Sequence, residues 1–266
     1  MVERRYKKAS SRIAKRGRAR KLFGLFLKII LPVTFFVGLI FLLRADFLQI
    51  ADFEVLGVET IQPESIKNMA SGFISGNKFF LIPKSNIFLL NKKNLASTML
   101  TDFGRLEKVE INKQFFSKSI ELKIVERKDD FLWCSSAGEC FFMTKDGLVF
   151  EKSLEISGKL IFRGILEGNP LMKNFATPAK IQNYLKLIEI FKNAGFEITS
   201  VNIESSDKAI AKSSIGDIIF NPEETDPSLV AQNTILLINE IKSKNPSARF
   251  NYIDARFGNK LFYKLY

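Results

Sequence analysis

The spacing of apolar and polar residues divides the chain into one continuous apolar run and a longer region of periodic pattern. The run, Leu22–Leu43, contains 22 residues and a single charge, at Lys28. A helix of about 20 apolar residues crosses the hydrocarbon core of a bilayer. Lys28 lies near one end of the run, where its side chain can reach the interface. Leu22–Leu43 is therefore predicted to be a transmembrane helix.

The first part of the periodic region is predicted to fold in the order β-α-α-β-β. Its predicted elements are a strand at 52–58, a helix that begins at Pro63, a helix at about 91–101, and strands at 105–113 and 118–127. Proline suits the first position of a helix. In the last strand Ile120, Leu122 and Ile124 share one face, as expected of a half-buried strand.

The part from residue 128 onwards is predicted to be a mixed β-sheet with two helices. One helix begins at Pro178 after the cap Thr177 and stops at Gly195, and the other begins at Pro227 after Asp226. The apolar repeat of the second helix comprises Leu229, Val230, Leu237 and Ile241. Strands are predicted at 130–143, 146–151, 158–164, 197–204, 208–214 and 215–220. The fold class is therefore α+β.

The positive charge is concentrated at the N-terminus. The formal net charge is +12, and residues 1–21 contain ten Lys or Arg against one acid, Glu3. Basic residues favour the cytoplasmic side of a membrane helix, so the N-terminus is predicted to be cytoplasmic and the region after Leu43 extracytoplasmic. A cleaved signal peptide is the alternative, but no small-residue cleavage site follows the run. Basic residues beside a membrane helix are better explained by the orientation of that helix and by attraction to anionic lipid than by nucleic-acid binding.

No group of residues in the sequence indicates catalysis. The chain contains no histidine, the most common general base and a frequent zinc ligand. No carboxylate pair is spaced for acid–base work, and no glycine-rich phosphate loop is present. We therefore predict no catalytic, metal-binding or cofactor-binding residues. Cys134 and Cys140 bracket a predicted turn, where they are either disulfide-bonded or two unlinked thiols.

The chain ends in two predicted strands around Gly258-Asn259. A two-residue loop would mix charged and apolar residues on each face, so a three-residue loop at 257–259 is favoured. The predicted pairs are then Ala255 with Leu261, Ile253 with Tyr263 and Asn251 with Leu265. Asp254 and Arg256 lie on the other face, where they can form a surface pair with a neighbouring strand.

In this register the last strand has an apolar face and a mixed face. Leu261, Tyr263 and Leu265 are predicted to pack inward. The outer face carries Lys260, Phe262, Lys264 and Tyr266. An edge strand guarded by lysines resists aggregation, and the same open backbone can accept a strand from another protein.

Four segments together resemble the FtsQ/DivIB bacterial cell-division family. They are FEVLGVETIQPESI at 53–66, IELKIVER at 120–127, KDGLVFE at 145–151 and YIDARFGNKLFYK at 252–264. The resemblance covers essentially the whole chain, from the basic tail at 1–21 and the span at 22–43 onwards. It implies a β-α-α-β-β POTRA domain at 48–127 and a β domain at 128–266.

The resemblance also implies a function, partners and a site. Members of this family are non-enzymatic membrane scaffolds that bind FtsL-type and FtsB/DivIC-type proteins and help to regulate the septal peptidoglycan synthase. The FtsB-type partner adds a strand to the last strand of the β domain. The expected partner-binding residues are Phe257, Lys260, Leu261, Phe262, Tyr263, Lys264 and Leu265. The expected location is the cell membrane at the division septum, in a single-pass orientation.

Two other functions fit parts of the sequence. A POTRA-bearing membrane protein could bind unfolded or secreted polypeptides by strand addition, although no membrane barrel segment is predicted. An extracytoplasmic wall enzyme would need a catalytic group of residues, which the sequence does not supply.

Overall fold

The computed structural model describes residues 26–78, 80–154, 158–223, 226–258 and 260–266. The predicted basic tail at 1–21 and the first residues of the predicted span, 22–25, lie outside the described residues. The chain separates into two compact units, Met1–Met99 with Lys108–Ile124 and Leu100–Glu107 with Val125–Tyr266. The fold mixes helices and sheets, as predicted, whereas the domain limits at 48–127 and 128–266 stay predictions.

Helix α1, Phe26–Leu43, is the one described helix that is long and apolar enough to cross a membrane. Its 18 residues have a mean hydropathy of 2.5, and none of that stretch is buried. At about 1.5 Å per residue the helix is about 27 Å long, close to the thickness of a hydrocarbon core. A short 3₁₀ helix, Asp46–Leu48, follows it.

A three-stranded sheet has the order β1-β5-β4. The elements in chain order are β1 Asp52–Leu56, α2 Pro63–Phe73, β2 Asn77–Lys78, β3 Ile82–Pro83, α3 Lys92–Asp102, β4 Leu106–Gln114 and β5 Ser119–Glu126. Strands β1 and β5 are parallel, with Asp52 opposite Ser119. The predicted buried face of β5 is confirmed, because Ile120, Leu122 and Ile124 are all buried.

The second sheet has ten strands, in the order β10-β8-β7-β6-β9-β11-β12-β13-β14-β15. Its strands on one side are β6 Phe131–Cys134, β7 Cys140–Met143, β8 Leu148–Lys152, β9 Ile161–Arg163 and β10 Lys173–Asn174. Those on the other side are β11 Ile198–Ser205, β12 Lys208–Ser213, β13 Gly216–Phe220, β14 Phe250–Phe257 and β15 Lys260–Leu265. Strands β13 and β14 are parallel, as a helical crossover between neighbouring strands requires.

Helices α4, Pro178–Asn193, and α5, Pro227–Lys244, begin where the sequence predicts. The Thr177 hydroxyl accepts from the amide of Lys180, and the Asp226 carboxylate accepts from two amides of the first turn of α5. These caps satisfy donors that the helix leaves unpaired. Both helices contribute to one core with the sheet, around the buried side chains of Phe162, Phe191, Ile218, Ile238 and Phe250.

One predicted core position of α5 is wrong. Leu229 is 47 % exposed, whereas its neighbours Val230 and Ala231 are buried. The buried stripe continues through Thr234 and Ile238. The hydroxyl of Thr234 donates to the carbonyl of Val230 at 2.8 Å, so this polar residue enters the core without an unpaired group.

Candidate protein-interaction edge

Strand β15 lies at the edge of the ten-stranded sheet. Among the described residues it pairs with β14 alone, so its other side carries backbone groups that no strand covers. In chain order β15 follows α5 and β14. The predicted uncovered C-terminal strand is therefore present in the fold.

The register of the hairpin combines the two predicted alternatives. Ile253 lies opposite Tyr263, as the three-residue loop predicts, but Phe257 pairs with Lys260 and leaves a two-residue loop. A bulge in β14 between Asp254 and Phe257 absorbs the extra residue, and the loop residue Gly258 has a φ of +63°. A bulge changes register locally while the inward face is kept.

The predicted pairing of Asn251 with Leu265 is wrong. Phe250 pairs with Leu265 instead, across a second irregularity between Phe250 and Tyr252. Phe250 is almost fully buried and its ring meets that of Tyr263 edge to face at 6.0 Å. Burial of this large ring fixes the end of the hairpin more strongly than regular alternation does.

Backbone geometry shows which groups of β15 are open. The amide of Tyr266 donates to the carbonyl of Arg249 at 3.1 Å, so residue 266 points its backbone groups towards β14. Backbone groups alternate sides along a strand. The N–H and C=O groups of Leu261, Tyr263 and Leu265 therefore point away from β14, towards the open edge.

The side chains of β15 are less buried than the sequence predicts. Leu261 and Leu265 pack against the core, as predicted. Tyr263 is on the same face but is 42 % exposed, and no further described strand lies beyond β15 to cover it. Phe257 and Phe262 are each 53 % exposed and meet edge to face at 5.3 Å. The edge thus combines open backbone with exposed aromatic rings.

Charged groups beside the edge are of two kinds. Asp254 and Arg256 were expected to pair with a neighbouring strand, but they pair with each other through two hydrogen bonds, at 2.9 and 2.7 Å. This bond to Asp254 raises the pKa of the Arg256 guanidinium above its ordinary value. By contrast, Lys260 and Lys264 form no ion pair within the described residues.

A groove between α5 and the edge is a feature that sequence reasoning missed. It has a volume of about 470 Å³ and is lined by Asn233, Leu236, Leu237, Glu240 and Leu261. Leu236 is 67 % exposed although it lies on a helix that packs against the sheet. One indication was present in the sequence, since Leu236 is apolar but falls outside the predicted apolar repeat of α5. A strand added to β15 would have its inward side chains over this groove.

The two cysteines form a disulfide in the other half of the same sheet. Cys134 and Cys140 lie opposite each other on β6 and β7. Of the two predicted alternatives, the structure therefore has the bonded one. Strand β6 is separated from β15 by β9 and β11 to β14 in the sheet order, so the disulfide is not part of the interaction edge.

No group of three or more metal-ligating side chains is found within the described residues. No protein-family model matches the chain, and no curated protein matches its sequence. The function proposed below therefore rests on the fold, the edge and the sequence resemblance.

Proposed function

We propose that the chain is a single-pass membrane scaffold of the FtsQ/DivIB type, which binds an FtsB/DivIC-type partner by strand addition to β15. The observation that carries this proposal is the six-residue edge strand with exposed aromatic side chains and three residues of open backbone. Helix α1 is the membrane anchor, and the β-α-α-β-β elements around the three-stranded sheet form the POTRA domain. The scaffold helps to control septal peptidoglycan synthesis and has no catalytic role.

Strand addition uses every feature of the edge. The partner's backbone pairs with the open groups of Leu261, Tyr263 and Leu265, which gives affinity with little dependence on sequence. Specificity comes from the side chains on either face of the new strand. Apolar partner residues lie over the groove beside Leu236, and acidic ones lie near Lys260 and Lys264 on the outer face.

Other edges are poorer sites for a partner. Strand β4, at the edge of the three-stranded sheet, is nine residues long. It carries charges of both signs, including Lys108 and Glu110, which pair at 2.6 Å. Interspersed charges are a common protection against strand addition. Strand β15 lacks acidic residues and exposes rings instead, which favours it as the partner site.

The experiment compares two substitutions at one residue. Full-length Tyr263→Pro and Tyr263→Ala proteins are tested for binding to the extracytoplasmic segment of the cell's FtsB/DivIC-type protein. Proline removes an N–H that points to the open edge and spares the pairing with β14. We expect at least about tenfold weaker binding for proline than for alanine, because a partner carbonyl loses its donor.

Equal binding by the two variants, with unchanged thermal unfolding, would exclude backbone pairing at this edge. An unrelated unfolded polypeptide serves as the second ligand. If it binds as tightly as the FtsB/DivIC-type segment, the alternative function, capture of unfolded or secreted chains, replaces the division scaffold.

A further inference from the structure

The end of helix α1 is held firmly by the folded structure that follows it. The side-chain amides of Asn86 and Gln49 both donate to the carbonyl of Leu43, each at 2.9 Å. Asn86 is fully buried. The backbone of 48–50 is also hydrogen-bonded to that of 85–87. The chain therefore passes from α1 into the rest of the first unit without a free linker.

A cluster of exposed apolar side chains lies close to this junction. The cluster, called here the aromatic patch, comprises Phe88, Leu89, Phe115 and Phe116, with exposures of 60, 47, 48 and 106 %. The rings of Phe88 and Phe115 stack at 5.0 Å. The ammonium of Lys113 donates to the carbonyl of Phe88 at 3.3 Å and joins the two segments. Adjacent exposed rings usually mark a contact surface.

The fold brings the aromatic patch to the same end of the unit as α1. Strand β1 follows α1 and is parallel to β5, so the turn before β5 lies beside the start of β1. The amide of Ala51 donates to the carbonyl of Lys118 in this turn at 2.7 Å. Phe88 is two residues from Asn86, within about 7 Å along the chain. Because α1 is about as long as the hydrocarbon core is thick, an α1 that crosses the bilayer would bring its C-terminal end, and the segments beside it, near headgroup depth.

The two segments that carry the aromatic patch are positively charged. The segments 84–93 and 113–118 contain five lysines and no acidic residue. The lysines are Lys84, Lys92, Lys93, Lys113 and Lys118. Each basic residue near an anionic membrane surface adds to the electrostatic attraction. Rings flanked by lysines are the combination that binds the interface of such a membrane.

We propose that the aromatic patch inserts into the headgroup region of the bilayer that α1 crosses, with the five lysines against anionic lipid. The proposal rests on the membrane anchor of the proposed function and is independent of the partner strand. It gives the first unit a second membrane contact beside α1, which fixes the tilt of the unit against the surface.

The test uses the full-length chain in vesicles of phosphatidylcholine and phosphatidylglycerol. An environment-sensitive fluorophore is attached to single cysteines introduced as Phe116→Cys, Val37→Cys and Leu56→Cys; the native cysteines are disulfide-bonded and do not react. Val37 reports on the span. Leu56 is 40 % exposed at the opposite end of β1, about 13 Å from the start of that strand. Lipids with a nitroxide on the headgroup or acyl chain quench the fluorophore.

We expect quenching at positions 37 and 116 to be several-fold stronger than at position 56. Quenching at 37 with none at 116 would overturn the patch contact and leave the anchor standing. Absence of quenching at both positions would overturn the anchor and the inference together. Phe88→Ser with Phe115→Ser is expected to reduce quenching at 116 only, and unchanged quenching would show that the rings are not what holds the turn at the membrane.

Discussion

The two edges of the ten-stranded sheet differ in length, cover and composition. Strand β10 has two residues, and its Lys173 amide turns back to the carbonyl of Pro170. The Lys173 ammonium also donates to the carbonyl of Glu167. Strand β15 has six residues, and its outer backbone has no partner among the described residues. The same sheet therefore has one closed edge and one open edge.

This difference favours β15 as the proposed partner site. A very short edge strand is a general protection against unwanted pairing, and β10 has only two residues. The β15 edge has lysines but also exposes Phe257, Phe262 and Tyr263. Exposed rings beside open backbone increase the risk of aggregation unless a partner covers them. The contrast between the two edges supports the proposal of a partner at β15.

The largest effect is expected when the inner side of β15 is broken. Lys264→Pro removes an amide that points to β14, because residues 264 and 266 face the same way. Proline in a paired position leaves a ladder carbonyl without its donor, which costs up to about 3 kcal/mol, and it strains the strand. We expect the midpoint of urea unfolding to fall markedly, with partner binding lost as a consequence.

Tyr263→Pro is the matched control, since its amide points to the open edge. Its unfolding midpoint is expected to stay close to that of Tyr263→Ala. Equal destabilisation by proline at 263 and 264 would show that the two sides of β15 are not distinct, and the assignment of the open groups would be wrong.

A smaller loss of stability is expected on the closed side of the sheet. Cys134→Ala with Cys140→Ala removes a disulfide that closes a short loop, which corresponds to about 2 kcal/mol. Binding of the partner to β15 should not change, since the two sites are separated by several strands. Wild-type protein reduced with dithiothreitol should unfold at the same midpoint as the double variant. Weaker partner binding by the folded double variant would mean that the two halves of the sheet are coupled.

The sequence predicts elements well where the signal is local. The caps Thr177 and Asp226 and the buried alternation of β5 all follow from short patterns, and all are present. The exposure of Tyr263 and the bulge beside Asp254 depend on the position of β15 at the edge of the sheet. The groove at Leu236 depends on how α5 packs. These features arise from contacts between distant segments, which periodicity along the chain does not contain.

An effect between those of the disulfide variant and of the lysine variants is expected when a charge is placed in the groove. Leu236→Glu puts a charge where an apolar partner side chain is proposed to lie, so partner binding should weaken about tenfold through lost burial and added desolvation. The unfolding midpoint should hardly change, since Leu236 is 67 % exposed. Asn239→Glu is the control, because Asn239 is exposed on α5 but does not line the groove. Equal weakening by both variants would indicate a general charge effect.

The smallest effect is expected from the lysines on the outer face of β15. Lys260→Glu with Lys264→Glu should slow association with an acidic partner segment a few-fold and leave the dissociation rate nearly unchanged, because exposed charges act mainly on encounter. The difference from wild type should shrink at high salt, since screening shortens the range of the field. A change confined to the dissociation rate would instead mean that the lysines are buried in direct ion pairs within the complex. The lysines would then contribute to the contact itself as well as protecting the open edge.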